Sequence, residues 1–140
     1  MELTSGYSLV EGPPALRDYL VLRARAGLSP KTELQGEAAL RGSWWAVHVR
    51  ASEGLAVGMG RVIGDGGWYF HIADMAVLPE HQRRGIGDAI LTALVEHIRQ
   101  AAPREPYITL LADEPGRRLY TRHGFVPTAP HSIGMKLSKP

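Results

Sequence analysis

The sequence predicts a mixed α/β (α+β) fold: a single domain over residues 1–140, with a central sheet of six to seven strands and about four helices. Three observations carry this. Segments 44–50, 55–64 and 68–78 are alternating or apolar runs separated by the turn residues Ser52-Glu53-Gly54 and Asp65-Gly66-Gly67, the pattern of antiparallel hairpins. From Ile86 to about Ala101 the apolar residues repeat with a helical period and lead to another apolar run at 107–112, which makes a β-α-β crossover. Finally, 44% hydrophobic and 21% charged residues in a 140-residue chain are ordinary for a globular protein with one core.

In order along the chain, Tyr7 to Val10 reads as a first strand, interrupted by Gly12-Pro13-Pro14. Pro14 suits the first turn of a helix, in which Leu16, Tyr19, Leu20 and Arg23 share one face and Gly27 is the stop. Thr32-Glu33-Leu34-Gln35 fits a capping box opening a second helix that Gly42 ends. The three sheet segments follow. Gly58 and Gly60 lie within the second, where they permit close packing or a bulge. The third is apolar enough for a central strand, and Pro79 ends it. In the next helix Ile86, Ile90, Ala93, Leu94, His97 and Ile98 form the apolar face. Residues 115–123 read as a short helix stopped by Gly124, and residues 125–137 as two short strands around Pro127 and Pro130.

Composition narrows the chemistry. The chain has no cysteine, so disulfides, thiolate nucleophiles and cysteine-based zinc sites are excluded. Its six histidines show no paired ligand spacing, and no metal is expected. A net charge of +2 is too small to suggest nucleic-acid or membrane binding. The first residues lack the charged-then-apolar order of a secretion signal, so the expected location is cytoplasmic.

The stretch Gln82-Arg83-Arg84-Gly85-Ile86-Gly87 joins a strand end to a helix start. Backbone N–H groups at a helix start have no internal partner, and the helix dipole favours negative charge there. Glycines let a ligand approach the backbone closely. The stretch is therefore either a diphosphate cradle or a strand-to-helix turn with surface arginines. No Gly-Lys-Ser/Thr occurs, which rules out a P-loop, and Gly58 to Gly64 misses the dinucleotide spacing by one residue.

These six residues resemble the Q/R-x-x-G-x-G/A signature of the GNAT superfamily of acyl-CoA-dependent N-acetyltransferases. The preceding Met75-Ala76-Val77-Leu78-Pro79 is similar to the end of that family's fourth strand, and Tyr120 followed by Gly124-Phe125 is similar to its Y-x-x-x-G-F element. The resemblance implies a GNAT fold whose fourth and fifth strands splay around acetyl-CoA, the cosubstrate. It implies that the backbone of Met75, Ala76 and Val77 binds the pantetheine arm and that an amide of Ala76 or Val77 polarises the acetyl carbonyl. Gln82, Arg83, Arg84, Gly85, Ile86, Gly87 and Asp88 would form the pyrophosphate grip; Asp88 departs from the basic or small residue often found there. Tyr120 would protonate the departing thiolate. For the base the sequence leaves two candidates, His71 and Asp74. By period two His71, Ala73, Met75 and Val77 share one strand face and Asp74 the other, unless a bulge intervenes.

The resemblance further implies direct attack by a primary amine. No acidic cluster suited to polyamines is present, and Tyr19, Leu28, Trp44, Trp45, Trp68, Tyr69, Phe70 and His131 fall on segments that line the family's acceptor pocket. This points to a small arylalkylamine such as serotonin or tryptamine. The alternatives are another amine (a polyamine, an amino sugar or a protein amino group) or a non-catalytic acyl-CoA-binding module. Members of the family often form homodimers through C-terminal strands, and the apolar tail is compatible with that.

Overall fold

The computed structural model describes residues 3–139. The chain forms two compact units, Met1–Leu110 and Leu111–Pro140.

The first unit is a sheet with helices on both faces. Its strands are β1 (Tyr7–Glu11), β2 (Trp45–Ala51), β3 (Ala56–Gly64), β4 (Tyr69–Val77) and β5 (Tyr107–Leu110), lying side by side in that order. The first three pairings are antiparallel; β4 and β5 are parallel, as the crossover through a helix requires. Helices α1 (Leu16–Arg25) and α2 (Glu33–Arg41) separate β1 from β2, and α3 (Ile86–Ala101) makes the crossover. The capping box that opens α2 is formed. Gln35 N donates to Thr32 Oγ1 at 3.1 Å and Thr32 N donates to Gln35 Oε1 at 3.0 Å.

Helix α3 packs across β2, β3 and β4. Its buried residues, Ile86, Ala89, Ile90, Leu91, Leu94 and Ile98, meet a sheet face that includes two glycines. A Cβ on Gly60 would lie 2.7 Å from Ile90 Cγ2 and 3.0 Å from Leu94 Cδ1, and one on Gly58 would lie 2.8 Å from Ile86 Cγ2. The missing side chains are what let the helix sit against the strand backbone.

Opposite these glycines β4 is irregular. Met59 pairs with Ala76 and Arg61 with Ala73, so Gly60 alone faces both Asp74 and Met75. This is a bulge, and Asp74 takes a left-handed φ of +57° in it. The extra residue breaks the alternation expected from period two. Arg61 pairs with Ala73 and Ile63 with His71, which puts His71, Ala73 and Arg61 on one face, away from α3. Beyond the bulge that face continues with Ala76, while Met75 turns towards α3, its Sδ beside Gly60. Met75 and Val77 therefore do not share the face of His71, and Asp74 does.

The second unit holds a 3-10 turn at Glu114–Gly116 and α4 (Arg117–Arg122). The expected tail strands are not formed: among the described residues the sheet has five strands, where six to seven were expected, and residues 125–139 contain none. Pro127 and Pro130 lack N–H donors, and Ser132 N bonds locally to the Thr128 carbonyl at 3.2 Å.

Candidate active site

Strand β4 is paired with β5 only from Tyr69 to Ile72. From Ala73 to Val77 the edge on the β5 side has no strand partner among the described residues, so the ladder does not satisfy the backbone N–H and C=O groups on that side. These are the residues, Met75, Ala76 and Val77, expected to bind the pantetheine arm. Ala76 is buried, and the Val77 carbonyl accepts from Gln82 Nε2 at 3.1 Å. The Gln82 side chain thus ties the strand end to the following turn.

That turn leads directly into α3. Pro79–His81 form one turn of 3-10 helix, and Arg83 (φ +64°) and Gly85 (φ +79°) are both left-handed. Gly85, the N-cap residue of α3, has no side chain with which to bond the first amides of the helix. The Ile86 side chain is core; only its backbone can take part in binding. Arg84 Nη1 donates to Tyr7 Oη at 2.7 Å, and Tyr7 Oη also lies 2.7 Å from His81 Nδ1. Of the two expected phosphate arginines, Arg84 is thus anchored to β1, while Arg83 is exposed. Asp88 stands in the first turn, where a carboxylate suits the helix dipole.

His71 is half-buried. Its Nδ1 is 2.8 Å from Thr109 Oγ1, whose hydroxyl donates onward to the Phe70 carbonyl at 3.4 Å. A hydroxyl has one proton to give, so Thr109 accepts from Nδ1–H and leaves the lone pair on His71 Nε2. Burial lowers the pKa of His71 below 6.5, and the positive charge of Arg61 lowers it further. The ring is neutral at pH 7, as a base must be.

Asp74 has a different environment. Its Oδ1 takes a hydrogen bond from Arg23 Nη1, and its Oδ2 takes one from Tyr19 Oη at 2.5 Å and one from Arg61 Nε at 2.6 Å. Burial pushes its pKa up. The hydrogen bonds from Tyr19 and Arg61 and the charges of Arg61 and Arg23 outweigh burial and hold the carboxyl below 3.8. A carboxylate so engaged is a weak base, and it fixes α1 and β3 onto β4. Arg23 and Arg61 were not among the sequence-predicted site residues. Their signal was present: each is a lone cation on an otherwise apolar face.

Beside this cluster is a small cavity of about 10 Å3, lined by Pro14, Tyr19, Leu40, Met59, Arg61 and Asp74 among others. Of the aromatic residues expected around the acceptor, Tyr19 alone lines it. Trp44 packs 4.7 Å from Phe70, and Trp45 stacks on His97 of α3 at 3.8 Å between ring centroids. Trp68, Tyr69 and Tyr107 form an exposed cluster where β4 and β5 begin. In the second unit His131 is exposed. Tyr120 there lies edge-on to Phe125 at 6.3 Å. Burial raises its pKa above 10.0, and the charge of Asp113 adds to this, so the phenol keeps its proton at pH 7.

The fold and the open β4 edge define an acyltransferase-type α/β domain, and the comparisons agree. The acetyltransferase (GNAT) domain family matches residues 42–127, and the chain belongs to this family. A solved structure from meticillin-resistant Staphylococcus aureus, of a protein of unknown function described as a probable acetyltransferase, is 37% identical. The match covers 95% of this chain and 99% of that one, with a TM-score of 0.88. A GNAT-family acetyltransferase from Streptococcus pneumoniae is 23% identical over 95% of this chain and 98% of that one, with a TM-score of 0.76. Glucosamine-6-phosphate N-acetyltransferase from Arabidopsis thaliana shares the fold at 13% identity, 96% and 97% coverage and a TM-score of 0.69. No curated protein sequence matches the chain. Among the described residues no helix is long and apolar enough to cross a membrane.

Proposed function

We propose that the protein is an acetyl-CoA-dependent N-acetyltransferase that acetylates a small primary amine by direct attack. The observation that carries this is the β4 edge from Ala73 to Val77, which has no strand partner on the β5 side among the described residues and leads into the glycine-headed start of α3. The open edge suits the amide-bearing pantetheine arm and the helix start suits a pyrophosphate, so the residues present fit acetyl-CoA. The bound thioester supplies the acetyl group. His71 Nε2 accepts the proton of the attacking amine, an amide of Ala76 or Val77 polarises the carbonyl, and Tyr120 protonates the leaving thiolate. Asp74 holds the neighbouring guanidinium groups in place.

An arylalkylamine acceptor rests on the aromatic residues of the sequence; Tyr19, which lines the cavity, is buried and donates to Asp74. The decisive experiment is a panel of amines with acetyl-CoA, read by release of free CoA thiol. The chain has no cysteine, so a thiol-reactive dye reports only product. Amine-dependent thiol release is expected. Acetyl-CoA binding with no release for any amine would instead identify an acyl-CoA-binding module.

A further inference from the structure

We infer that Tyr7, on β1, is a positioning residue for the pyrophosphate end of acetyl-CoA: its hydroxyl holds the turn that leads into the first amides of α3. The inference rests on the acetyltransferase reading above and adds to its cosubstrate site a residue that lies 77 positions from Arg84 along the chain.

The proton count fixes the direction of the bonds. Tyr7 Oη lies 2.7 Å from Arg84 Nη1 and 2.7 Å from His81 Nδ1. A guanidinium only donates, so the phenol oxygen accepts from Arg84 and gives its own proton to His81. The charge of Arg84 polarises the hydroxyl and strengthens the second bond. The Tyr7 and His81 rings also meet edge-on, with centroids 5.6 Å apart. One hydroxyl thus fastens both ends of the segment from His81 to Arg84. From the turn before β1, Thr4 Oγ1 donates to the Arg84 carbonyl at 3.1 Å. Arg84 is therefore held by its side chain and by its backbone.

This turn needs holding. Arg83 adopts a left-handed φ of +64°, which is unfavourable for a residue with a Cβ and persists only where its surroundings dictate it. Arg83 itself is exposed, so its neighbours must do this. Gln82 binds the Val77 carbonyl, Arg84 binds Tyr7 and Thr4, and upstream Glu80 pairs with Arg25 of α1. Tyr7 is itself fixed in the sheet, as the register partner of Ala51 at the start of the β1–β2 ladder. The turn is therefore tied to the sheet and not to another loop. A phosphate-binding backbone gains affinity when it is ordered before the ligand arrives, since ordering on binding subtracts from the free energy of association.

Tyr7→Phe keeps the ring beside His81 and removes the hydroxyl. Calorimetry should show the Kd for CoA raised about threefold to tenfold, the net worth of such hydrogen bonds. Pantetheine lacks the pyrophosphate and the nucleotide; titrated by NMR, its Kd should change less than about twofold. Equal weakening of both ligands would mark a general loosening of the fold and overturn the inference, as would an unchanged Kd for CoA. Tighter CoA binding would show that Tyr7 withholds Arg84 from the phosphates and would overturn it as well. The route is tested in a His81→Phe, Arg84→Met background, with melting curves to confirm folding. There Tyr7→Phe should change the Kd for CoA less than about twofold; a full effect would overturn the route through these two residues. If CoA binds and no amine releases thiol, the acetyltransferase reading fails, and the same affinities still judge Tyr7. No CoA binding by the unmodified protein would overturn both.

Discussion

His71 Nδ1 and Thr109 Oγ1 lie 2.8 Å apart across the parallel pair β4 and β5, where His71 and Thr109 are register partners. The hydroxyl selects the tautomer of the ring and leaves a lone pair on Nε2, the atom proposed as the base. Thr109→Val removes the acceptor and should lower kcat about tenfold with little change in KM, while His71→Gln should cost about a hundredfold or more. Because burial and Arg61 depress the pKa of His71, the acid limb of kcat/KM should fall below 6.5 in the wild type. Stability has the same sign. Below 6.5 the unfolded chain takes up the proton first, so this contribution is lost as pH falls from 6.5 through the lower folded value. A pH–rate profile unchanged in His71→Gln would remove His71 from the mechanism.

Asp74→Asn isolates the charge of the cluster, because asparagine also tolerates the left-handed backbone found there. It leaves Arg23 and Arg61 without their counter-ion in a largely buried site. A loss of about 3–5 kcal/mol in urea unfolding is expected. The carboxyl pKa is depressed in the fold. Its stabilisation is therefore present above 3.8 and lost as pH falls through the folded value, and the variant should lack that part of the acid sensitivity.

Gly60→Ala tests the seat of α3. The added methyl would lie 2.7 Å from Ile90 Cγ2 and 2.8 Å from Met75 Sδ, closer than side-chain carbons approach. A destabilisation of about 1–3 kcal/mol is expected from overpacking. It should appear as a lower urea midpoint with an unchanged m value.

Tyr120→Phe keeps the ring against Phe125 and deletes the proton. If the phenol protonates the thiolate, kcat should fall about 10²- to 10⁴-fold while acetyl-CoA affinity, measured by calorimetry, changes less than about twofold. Equal losses in both would make Tyr120 a binding residue.

Most of the fold was legible because the signals were local. The capping box at Thr32 and Gln35, the turns at Gly54 and Gly66, and the helical face headed by Ile86 and Ile90 each depend on neighbours within a few residues. The bulge at Asp74 was not legible, since it consists of two residues facing one on another strand, and a single inserted position inverts the face of everything after it. The packing of the aromatic residues expected around an acceptor was not legible for a related reason. Trp44, Trp45 and Phe70 are apolar, and apolarity does not tell which face of a sheet a helix will cover; α3 took that face. The tail pattern at Val126 and Ile133 alternates well enough for strands, but strand formation needs a partner, and Pro127 and Pro130 withdraw donors from any ladder.

The glycine pair in β3 has an evolutionary reading. On the side of Gly58 and Gly60 there is no spare volume, so almost any substitution there is paid for by displacing α3. On the side of Met59 and Arg61 the strand carries the buried Met59 and the guanidinium that binds Asp74. One strand therefore seats a helix with one set of alternate residues and an ion pair with the other, so a change in the first set moves a helix and a change in the second unbalances a charge.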